Sequence, residues 1–278
     1  MLEIKTKKLG AELISIKLNG IEKLHQGKSH WNRQAPILFP IVGQIKNGET
    51  IINGNTYKMG QHGIARDIEF EEIGSNKFLL KSSKETLEKY PFDFELYVEY
   101  TIQQQNNELI TRYTVINKEE NKQMLFGIGG HPAFICEYST GDYEIQFNQQ
   151  EANIEFMQLE NGLISNEKAP NLLQNNKLDL LPDIFENDAI ISKNLKSNIV
   201  TLFNKKTNKK LLDFDFTGFP YLAFWSKKGA PFICIEPWFN TTDHINSTGK
   251  FEDKENILKL NPNEKFECQY KVKFYEGE

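Results

Sequence analysis

Hydrophobic and polar residues alternate over long stretches of the second quarter of the chain. From position 92 to position 102 every second residue is apolar, and the same period returns over 109–115. A period of two is typical of a strand with one buried face. The polar stretch 104–107 separates the two runs, so the pattern predicts an antiparallel hairpin. A third alternating run, over 266–274, predicts another strand.

Turn-forming dipeptides separate short apolar segments elsewhere, as expected for antiparallel strands joined by tight turns. They are Asn19-Gly20, Asn53-Gly54 and Thr217-Gly218. Helical signals are weak, and the best of them cover 83–90 and 180–185. No linker rich in Gly, Ser or Pro and no fixed-period repeat interrupts the chain. The sequence therefore predicts one all-β domain over 1–278, folded as a large antiparallel β-sandwich.

Composition and charge narrow the class of protein. The 278 residues carry a formal net charge of −5, whereas a nucleic-acid-binding domain is normally basic. No stretch approaches the ~20 apolar residues that span a bilayer, and residues 1–5 do not resemble a signal peptide. The cysteines lack a CxxC spacing, which argues against a disulfide framework and a zinc site. These cysteines are Cys136, Cys234 and Cys268. We expect a cytoplasmic protein that binds neither nucleic acid nor membrane.

Two of the five histidines lie beside glycine. His62 precedes Gly63, and His131 stands between Gly130 and Pro132. Glycine permits backbone conformations and close approaches that other residues forbid, while proline restricts the chain. Each histidine is therefore predicted at a loop or strand end, where it either faces a ligand or makes one local hydrogen bond in a turn.

A single carboxylate, Glu236, ends the apolar run that begins at Pro231, and Pro237 and Trp238 follow it. Because a buried charge is costly unless it is paired, Glu236 belongs to a hydrogen-bonded network, is poised for proton transfer, or reaches solvent at a sheet edge. Nearby, Trp225 and Trp238 either offer apolar faces to a ligand or lie in the core.

Two imidazoles and one carboxylate suit two kinds of chemistry. His62, His131 and Glu236 could perform general acid–base catalysis, since their reference pKa values are about 6.5 and 4.3. They could also form a metal site of the two-histidine, one-carboxylate kind. Neither H-x-H nor H-x-x-x-H occurs in the sequence, so acid–base chemistry without a metal or another cofactor is favoured.

Five sequence blocks in series resemble the aldose 1-epimerase (galactose mutarotase) superfamily, and most closely its LacX-like branch. The resemblance implies a galactose mutarotase-like supersandwich that binds a sugar on the concave face of a large sheet. It also implies interconversion of the α and β anomers of a free aldose such as galactose or glucose. The blocks are WNRQAPILFPIVG at 31–43, QHGIARD at 61–67, GHPAF at 130–134, FENDA at 185–189 and IEPW at 235–238.

The same resemblance implies a role for individual residues. Glu236 would act as general base on the anomeric hydroxyl, and His131 as general acid on the ring oxygen. His62 would bind the sugar and help to polarise that oxygen. Asp188 matches an aspartate that accepts hydrogen bonds from sugar hydroxyls, with Asp183 as the alternative.

One position departs from the family pattern. Many galactose mutarotases have a sugar-contacting arginine where this chain has Gln44, so Arg66 or Arg33 would have to supply a guanidinium. Trp225 is a further candidate contact. A hexose 6-phosphate substrate and a non-catalytic carbohydrate-binding role remain alternatives, although the scarcity of arginine and the negative net charge favour a neutral sugar. The chain is expected to be a monomer or a homodimer.

Overall fold

Strands make up most of the regular structure in the computed structural model, which describes residues 1–27 and 30–276. One short helix, α1 (Lys84–Lys89), and several 3₁₀ turns complete it. The strands in chain order are β1 (Leu2–Thr6), β2 (Leu13–Leu18), β3 (Ile21–Glu22), β4 (Ile37–Leu38), β5 (Glu49–Ile52), β6 (Asn55–Lys58), β7 (Glu71–Gly74), β8 (Lys77–Lys81), β9 (Phe94–Gln103), β10 (Glu108–Asn117), β11 (Met124–Phe126), β12 (Gly129–Gly130), β13 (Ala133–Ile135), β14 (Tyr143–Phe147), β15 (Glu155–Glu160), β16 (Leu163–Lys168), β17 (Lys177–Leu180), β18 (Ile190–Lys193), β19 (Ile199–Asn204), β20 (Lys209–Asp215), β21 (Tyr221–Trp225), β22 (Phe232–Trp238), β23 (Leu258–Leu260) and β24 (Lys265–Phe274).

Two large antiparallel sheets hold most of these strands. The first has the order β17-β14-β19-β20-β24-β10-β9-β8-β7, and the second the order β16-β15-β18-β21-β22-β12-β4, with β13 also paired to β22. Their inner faces pack together, as two aromatic contacts between the sheets show. The ring of Phe134 lies 6.1 Å from that of Phe214, and the ring of Phe147 lies 6.4 Å from that of Phe224. The predicted all-β antiparallel sandwich is confirmed.

The hairpin predicted from alternation is β9 and β10. Along β9 every second side chain from Phe94 to Tyr100 is buried, and Ile102 pairs with Leu109 in antiparallel register. Asn107 adopts a left-handed conformation at the turn, which asparagine tolerates better than most residues. The third alternating run is β24, and it pairs with the other edge of β10.

One of the two helical signals is correct. Helix α1 begins after Ser83, whose side-chain oxygen accepts a hydrogen bond from the backbone N–H of Thr86, while Thr86 Oγ1 accepts one from the backbone N–H of Ser83. This reciprocal capping satisfies donors that the first turn would leave unpaired. The helix is six residues long, and none of the helices in the described part of the chain is long and apolar enough to cross a bilayer.

The helical signal over 180–185 is wrong. Leu180 ends β17, and the following residues form successive tight turns in which Ile184 N–H donates to Leu181 O and Glu186 N–H donates to Asp183 O. These are bonds between residues three apart, so the chain turns without continuing as an α-helix. Apolar spacing alone did not distinguish the two.

Strand β22 divides the second sheet into a core face and a site face. All seven of its residues are buried. Ile233 and Ile235 join the main core between the sheets. Because side chains alternate along a strand, Cys234 and Glu236 point to the opposite face, where the sheet is not covered by its partner sheet.

Candidate active site

A cavity of about 320 Å³ opens on the site face of the second sheet. A concave pocket lined by aromatic and a few convergent polar groups is the default position for a small-molecule site. Its lining residues are Trp31, Gly43, Gln44, Gln61, His62, Arg66, His131, Leu159, Gly162, Asp188, Ala189, Ile191, Trp225, Glu236, Trp238 and Thr242.

The predicted acid and base meet in this cavity. His131 Nε2 lies 3.3 Å from Glu236 Oε2, and the two side chains are only 8 % and 1 % exposed. The sheet explains the proximity, because Gly129 pairs with Trp238 and Ala133 pairs with Cys234 on the neighbouring strand. His131 lies between these two paired positions, beside the carboxylate.

Burial favours the uncharged form of both groups. Desolvation raises the pKa of Glu236 well above its ordinary value, with the nearby Trp238 indole opposing the shift and the charge of Asp188 adding to it. Desolvation, helped by the charge of Arg66, lowers the pKa of His131 to about 3. Strongly shifted pKa values in a cleft are typical of functional groups.

Polar atoms of this pair also lack partners. Glu236 Oε2 and His131 Nδ1 are shielded from solvent and make no hydrogen bond within the described chain. Buried polar atoms are nearly always hydrogen-bonded, and an unpaired one costs about 1–3 kcal/mol. The two atoms are therefore available to a ligand that enters the cavity.

His62 is held by its backbone with the ring turned to the cavity. Its φ of 66° is left-handed, its N–H donates to Gly43 O at 2.7 Å, and its Nδ1 accepts from Gly43 N–H at 3.1 Å. Burial lowers the pKa of His62 well below its ordinary value, so the ring is neutral and carries its proton on Nε2. The next residue must be glycine, because a Cβ at Gly63 would lie 2.3 Å from Phe39 O.

Two tryptophans enclose the His131 ring. Trp31 stacks on it with centroids 4.9 Å apart, and Trp225 meets it edge-on at 5.7 Å. The ring of His62 approaches His131 edge-on from another side at 5.4 Å. Trp225 was expected in the site, whereas Trp31 was noted only within its sequence block. An aromatic residue at the start of a block that also carries polar candidates is the signal that could have indicated it.

Only one of the two candidate arginines reaches the cavity. Arg66 lines it, is 17 % exposed, and has a buried Nε without a hydrogen-bond partner. Arg33 is not among the lining residues. Its guanidinium donates to Asp67 Oδ1 at 2.6 Å and to Arg66 O at 3.4 Å, so it supports the Arg66 turn from behind.

The structure also separates the two aspartates. Asp188 lines the cavity in a left-handed conformation, and its Oδ1 accepts a hydrogen bond from the N–H of Ala189. Asp183 lies in the exposed turn after β17 and is not among the lining residues. Of the pair left open by the sequence, Asp188 is the one placed where a ligand would bind.

Gln44 lines the cavity where the β15–β16 hairpin turns. A Cβ at Gly162 would lie 2.3 Å from Gln44 Nε2, so glycine lets the turn pack on the carboxamide. Thr242 joins the two segments, since its Oγ1 accepts from Gln44 N–H at 3.0 Å and donates to Gly162 O at 2.6 Å. Neither Thr242 nor Gly162 was singled out from the sequence, because each lies outside the recognised blocks.

Potential metal ligands also converge here. Ligand atoms of His131, Cys234 and Glu236 all lie within 4.8 Å of one another, the only such group of three among the described residues. The set differs from the histidine-rich one considered from the sequence, because Cys234 stands in it and His62 does not. No local spacing indicated it, since His131 comes from a different segment than the other two.

Comparison with known proteins identifies the family of this chain. The chain belongs to the aldose 1-epimerase family, whose model matches residues 1–271. Among the relatives, it is 37 % identical to "Protein LacX, chromosomal" of Lactococcus lactis subsp. lactis in an alignment 279 positions long, which covers 94 % of this chain and 92 % of that protein.

Solved structures agree with this assignment. A galactose mutarotase related enzyme from Lactobacillus acidophilus is 31 % identical with a TM-score of 0.90, and the match covers 99 % of this chain and 95 % of that one. A galactose mutarotase-like protein from Lactobacillus casei is 28 % identical with a TM-score of 0.91, covering 99 % and 97 %. The fold is thus the galactose mutarotase-like sandwich.

Proposed function

We propose that this protein is an aldose 1-epimerase that interconverts the α and β anomers of a free aldose such as galactose or glucose. The observation that carries the proposal is the 3.3 Å approach of His131 Nε2 to Glu236 Oε2 in the aromatic cavity. Opening a sugar ring requires removal of a proton from O1 and addition of one to O5, and both oxygens are bonded to C1. Two groups this close together can serve both atoms.

The proton transfers assign one role to each member of the pair. Glu236, as the carboxylate, removes the O1 proton while His131, as the imidazolium, protonates O5 and the C1–O5 bond breaks. Burial disfavours these charged forms. Hydrogen bonds from sugar hydroxyls would favour the Glu236 carboxylate, and its negative charge would in turn favour the adjacent His131 imidazolium. Rotation about C1–C2 and the reverse transfers then close the ring with O1 on the other side.

The remaining lining residues would hold the ring during these steps. His62 offers an Nε2–H donor, Arg66 a guanidinium and Asp188 a carboxylate for the sugar hydroxyls. Trp31 and Trp225 offer apolar faces to the sugar C–H groups. Positioning of this kind, together with general acid–base catalysis worth about 10²–10⁴-fold, suits a reaction that already proceeds in water.

Polarimetry of freshly dissolved α-galactose and α-glucose tests the proposal. The protein should accelerate the approach to equilibrium, and Glu236→Gln and His131→Asn should each reduce that acceleration by about 10²–10⁴-fold. His62→Asn should raise KM and lower kcat together. The matched control is Glu186→Gln, an exposed carboxylate outside the cavity, which should behave as wild type. A near-normal rate in Glu236→Gln would contradict the mechanism.

A hexose 6-phosphate is the second candidate substrate. The observation in its favour is Arg66, which lines the cavity and whose guanidinium suits a phosphate. Its buried Nε makes no hydrogen bond and lies 3.7 Å from Asp67 Oδ2. The same assay with glucose 6-phosphate and galactose 6-phosphate decides between the two, and Arg66→Met should selectively impair the phosphorylated sugar. Sugar binding by calorimetry without acceleration of any aldose would indicate a non-catalytic carbohydrate-binding protein.

A further inference from the structure

We propose that His131, Cys234 and Glu236 bind a thiophilic divalent cation such as Zn²⁺, and that the bound cation blocks sugar turnover. The second half of this statement rests on the proposed function, whereas the binding site itself does not. Such a site would make the protein responsive to the availability of free zinc or of a similar metal.

Strand geometry brings the three ligands together. Cys234 and Glu236 are two residues apart on β22 and so point to the same face. His131 enters from the neighbouring segment, two residues before Ala133, which pairs with Cys234. Zinc binds nitrogen, sulfur and oxygen at about 2.0–2.3 Å, which places tetrahedral ligands roughly 3.3–3.8 Å apart. Ligand atoms already within 4.8 Å of one another need only small side-chain rotations to reach that spacing.

An independent observation points to a ligand at this place. Glu236 Oε2 is buried 3.3 Å from His131 Nε2 and accepts no hydrogen bond, and coordination to a cation would satisfy this oxygen. The Cys234 side chain packs among Ala133, Ala230 and Phe232, so its sulfur is shielded from bulk water. Thiolate, imidazole and carboxylate together suit zinc and its neighbours among the transition metals rather than magnesium or calcium.

The cavity leaves room for a fourth ligand. His131 and Glu236 line it, whereas Cys234 lies behind them, so a cation can enter from the cavity and coordinate all three. Three protein ligands with one open position are typical of zinc sites that also bind water or a small molecule. A cation held in this way occupies the two groups proposed for proton transfer, and it would therefore compete with the sugar.

Binding of the cation requires only that the ligands release protons. The Cys234 S–H bond breaks, a sulfur–metal bond forms, and the proton passes to the buffer. The proton on the Glu236 carboxyl is also released to the buffer when that group coordinates, while the neutral His131 ring binds through a nitrogen lone pair. No oxidant or reductant takes part, and affinity should rise with pH because ligands must lose protons.

Cobalt(II) is the probe for the first test. The full-length protein, treated with EDTA and desalted, is titrated with Co²⁺ and its near-ultraviolet absorption is recorded. We expect a thiolate-to-cobalt charge-transfer band that saturates at one equivalent and disappears when Zn²⁺ is added. Cys234→Ala should lose the band, and Cys234→Ser serves instead if the alanine variant does not fold. Cys136→Ala, a change at a buried cysteine outside this cluster, should keep it.

Calorimetry with Zn²⁺ supplies the affinities. Zinc binding should weaken at least about tenfold in Cys234→Ala and stay unchanged in Cys136→Ala. Heats measured in buffers of different ionisation enthalpy should show release of protons on binding. In polarimetry, Zn²⁺ should inhibit wild-type protein more strongly than Cys234→Ala, each relative to its own rate in EDTA.

The two proposals fail in different ways. The cobalt band is recorded without sugar, so a protein that accelerates no aldose still shows whether the metal site exists. Absence of the band in wild type, or equal zinc affinity in Cys234→Ala and wild type, would overturn the metal site. A band without any sugar turnover would leave the metal site in place and refute the proposed function.

Discussion

Two buried pairs, each of one acidic and one basic side chain, differ in what surrounds them. Lys254 and Asp243 are 2 % and 4 % exposed, Lys254 Nζ also donates to Thr241 O, and Asp243 Oδ2 accepts from the N–H of Lys46. His131 and Glu236 are buried as deeply, yet each keeps a polar atom without a partner. Both pairs line a cavity, but the first has hydrogen-bond partners on both sides while the second keeps unused hydrogen-bonding capacity.

This difference separates a structural pair from a candidate catalytic one. Burial lowers the pKa of Lys254, and the adjacent Asp243 carboxylate opposes that shift, so the pair compensates itself. Glu236 has no cation bound to it, and burial raises its pKa without such compensation. A buried group left uncompensated weakens the folded state, and this is tolerated mainly where function requires it.

The largest effect on stability should come from the structural pair. Lys254→Met keeps the length of the side chain but leaves the Asp243 carboxylate buried without its cation. We expect the free energy of unfolding to fall by about 3–5 kcal/mol, measured by urea denaturation at neutral pH.

Two further variants serve as controls for that change. The double variant Lys254→Met with Asp243→Asn removes both charges and should be less destabilised than Lys254→Met alone. Lys228→Met removes a cation from the exposed Lys228–Glu186 pair and should leave stability unchanged. Equal effects of Lys254→Met and Lys228→Met would show that burial does not distinguish the two pairs.

A smaller effect of opposite sign should come from the candidate catalytic carboxylate. The folded-state pKa of Glu236 is raised, so Glu236 ionises in the unfolded chain at a pH where the folded chain keeps it protonated. This difference disfavours folding, and it grows as pH rises from the unfolded pKa toward the folded one. Glu236→Gln removes it and should therefore stabilise the protein at pH 8.

Unfolding curves at pH 4 and pH 8 in the presence of EDTA check this sign. Wild type and Glu236→Gln should have similar stability at pH 4 and should diverge at pH 8, with the variant the more stable. A variant that is less stable at pH 8 than wild type would mean that the Glu236 carboxylate is compensated in the folded state, as Asp243 is.

The smallest effect concerns the rim of the cavity. Asp188 lines it, whereas Asp183 lies in the neighbouring exposed turn. Asp188→Asn should raise KM for the sugar by about two- to twelvefold, which corresponds to about 0.5–1.5 kcal/mol for one hydrogen bond. Asp183→Asn is the matched control and should not change KM. The reverse result would assign the sugar contact to Asp183.

Local patterns in the sequence predicted several elements because their causes are local. The β9–β10 hairpin follows from strict alternation, and helix α1 from a serine that caps it. The turns after β17 were mistaken for a helix because apolar spacing does not show whether backbone bonds join residues three or four apart.

The residues of the candidate site also divide into those that local sequence patterns indicated and those that depend on distant contacts. His62, His131 and Glu236 were recognised within their blocks, and all three line one cavity. Trp31 and Thr242 were not assigned to it, because their roles depend on contacts with segments far away in the sequence. The packing of Gly162 on Gln44 likewise joins a hairpin turn to a segment more than a hundred residues earlier.

By itself the sequence determined the all-β class and the main polar candidates, since alternation, turn residues and compact motifs act over a few neighbouring positions. Only the tertiary structure decided which arginine reaches the cavity and which aspartate lines it. It also decided that Cys234 stands beside the candidate acid and base. These choices depend on strand pairing and on which face of a sheet a residue occupies, and both are set by contacts between distant segments.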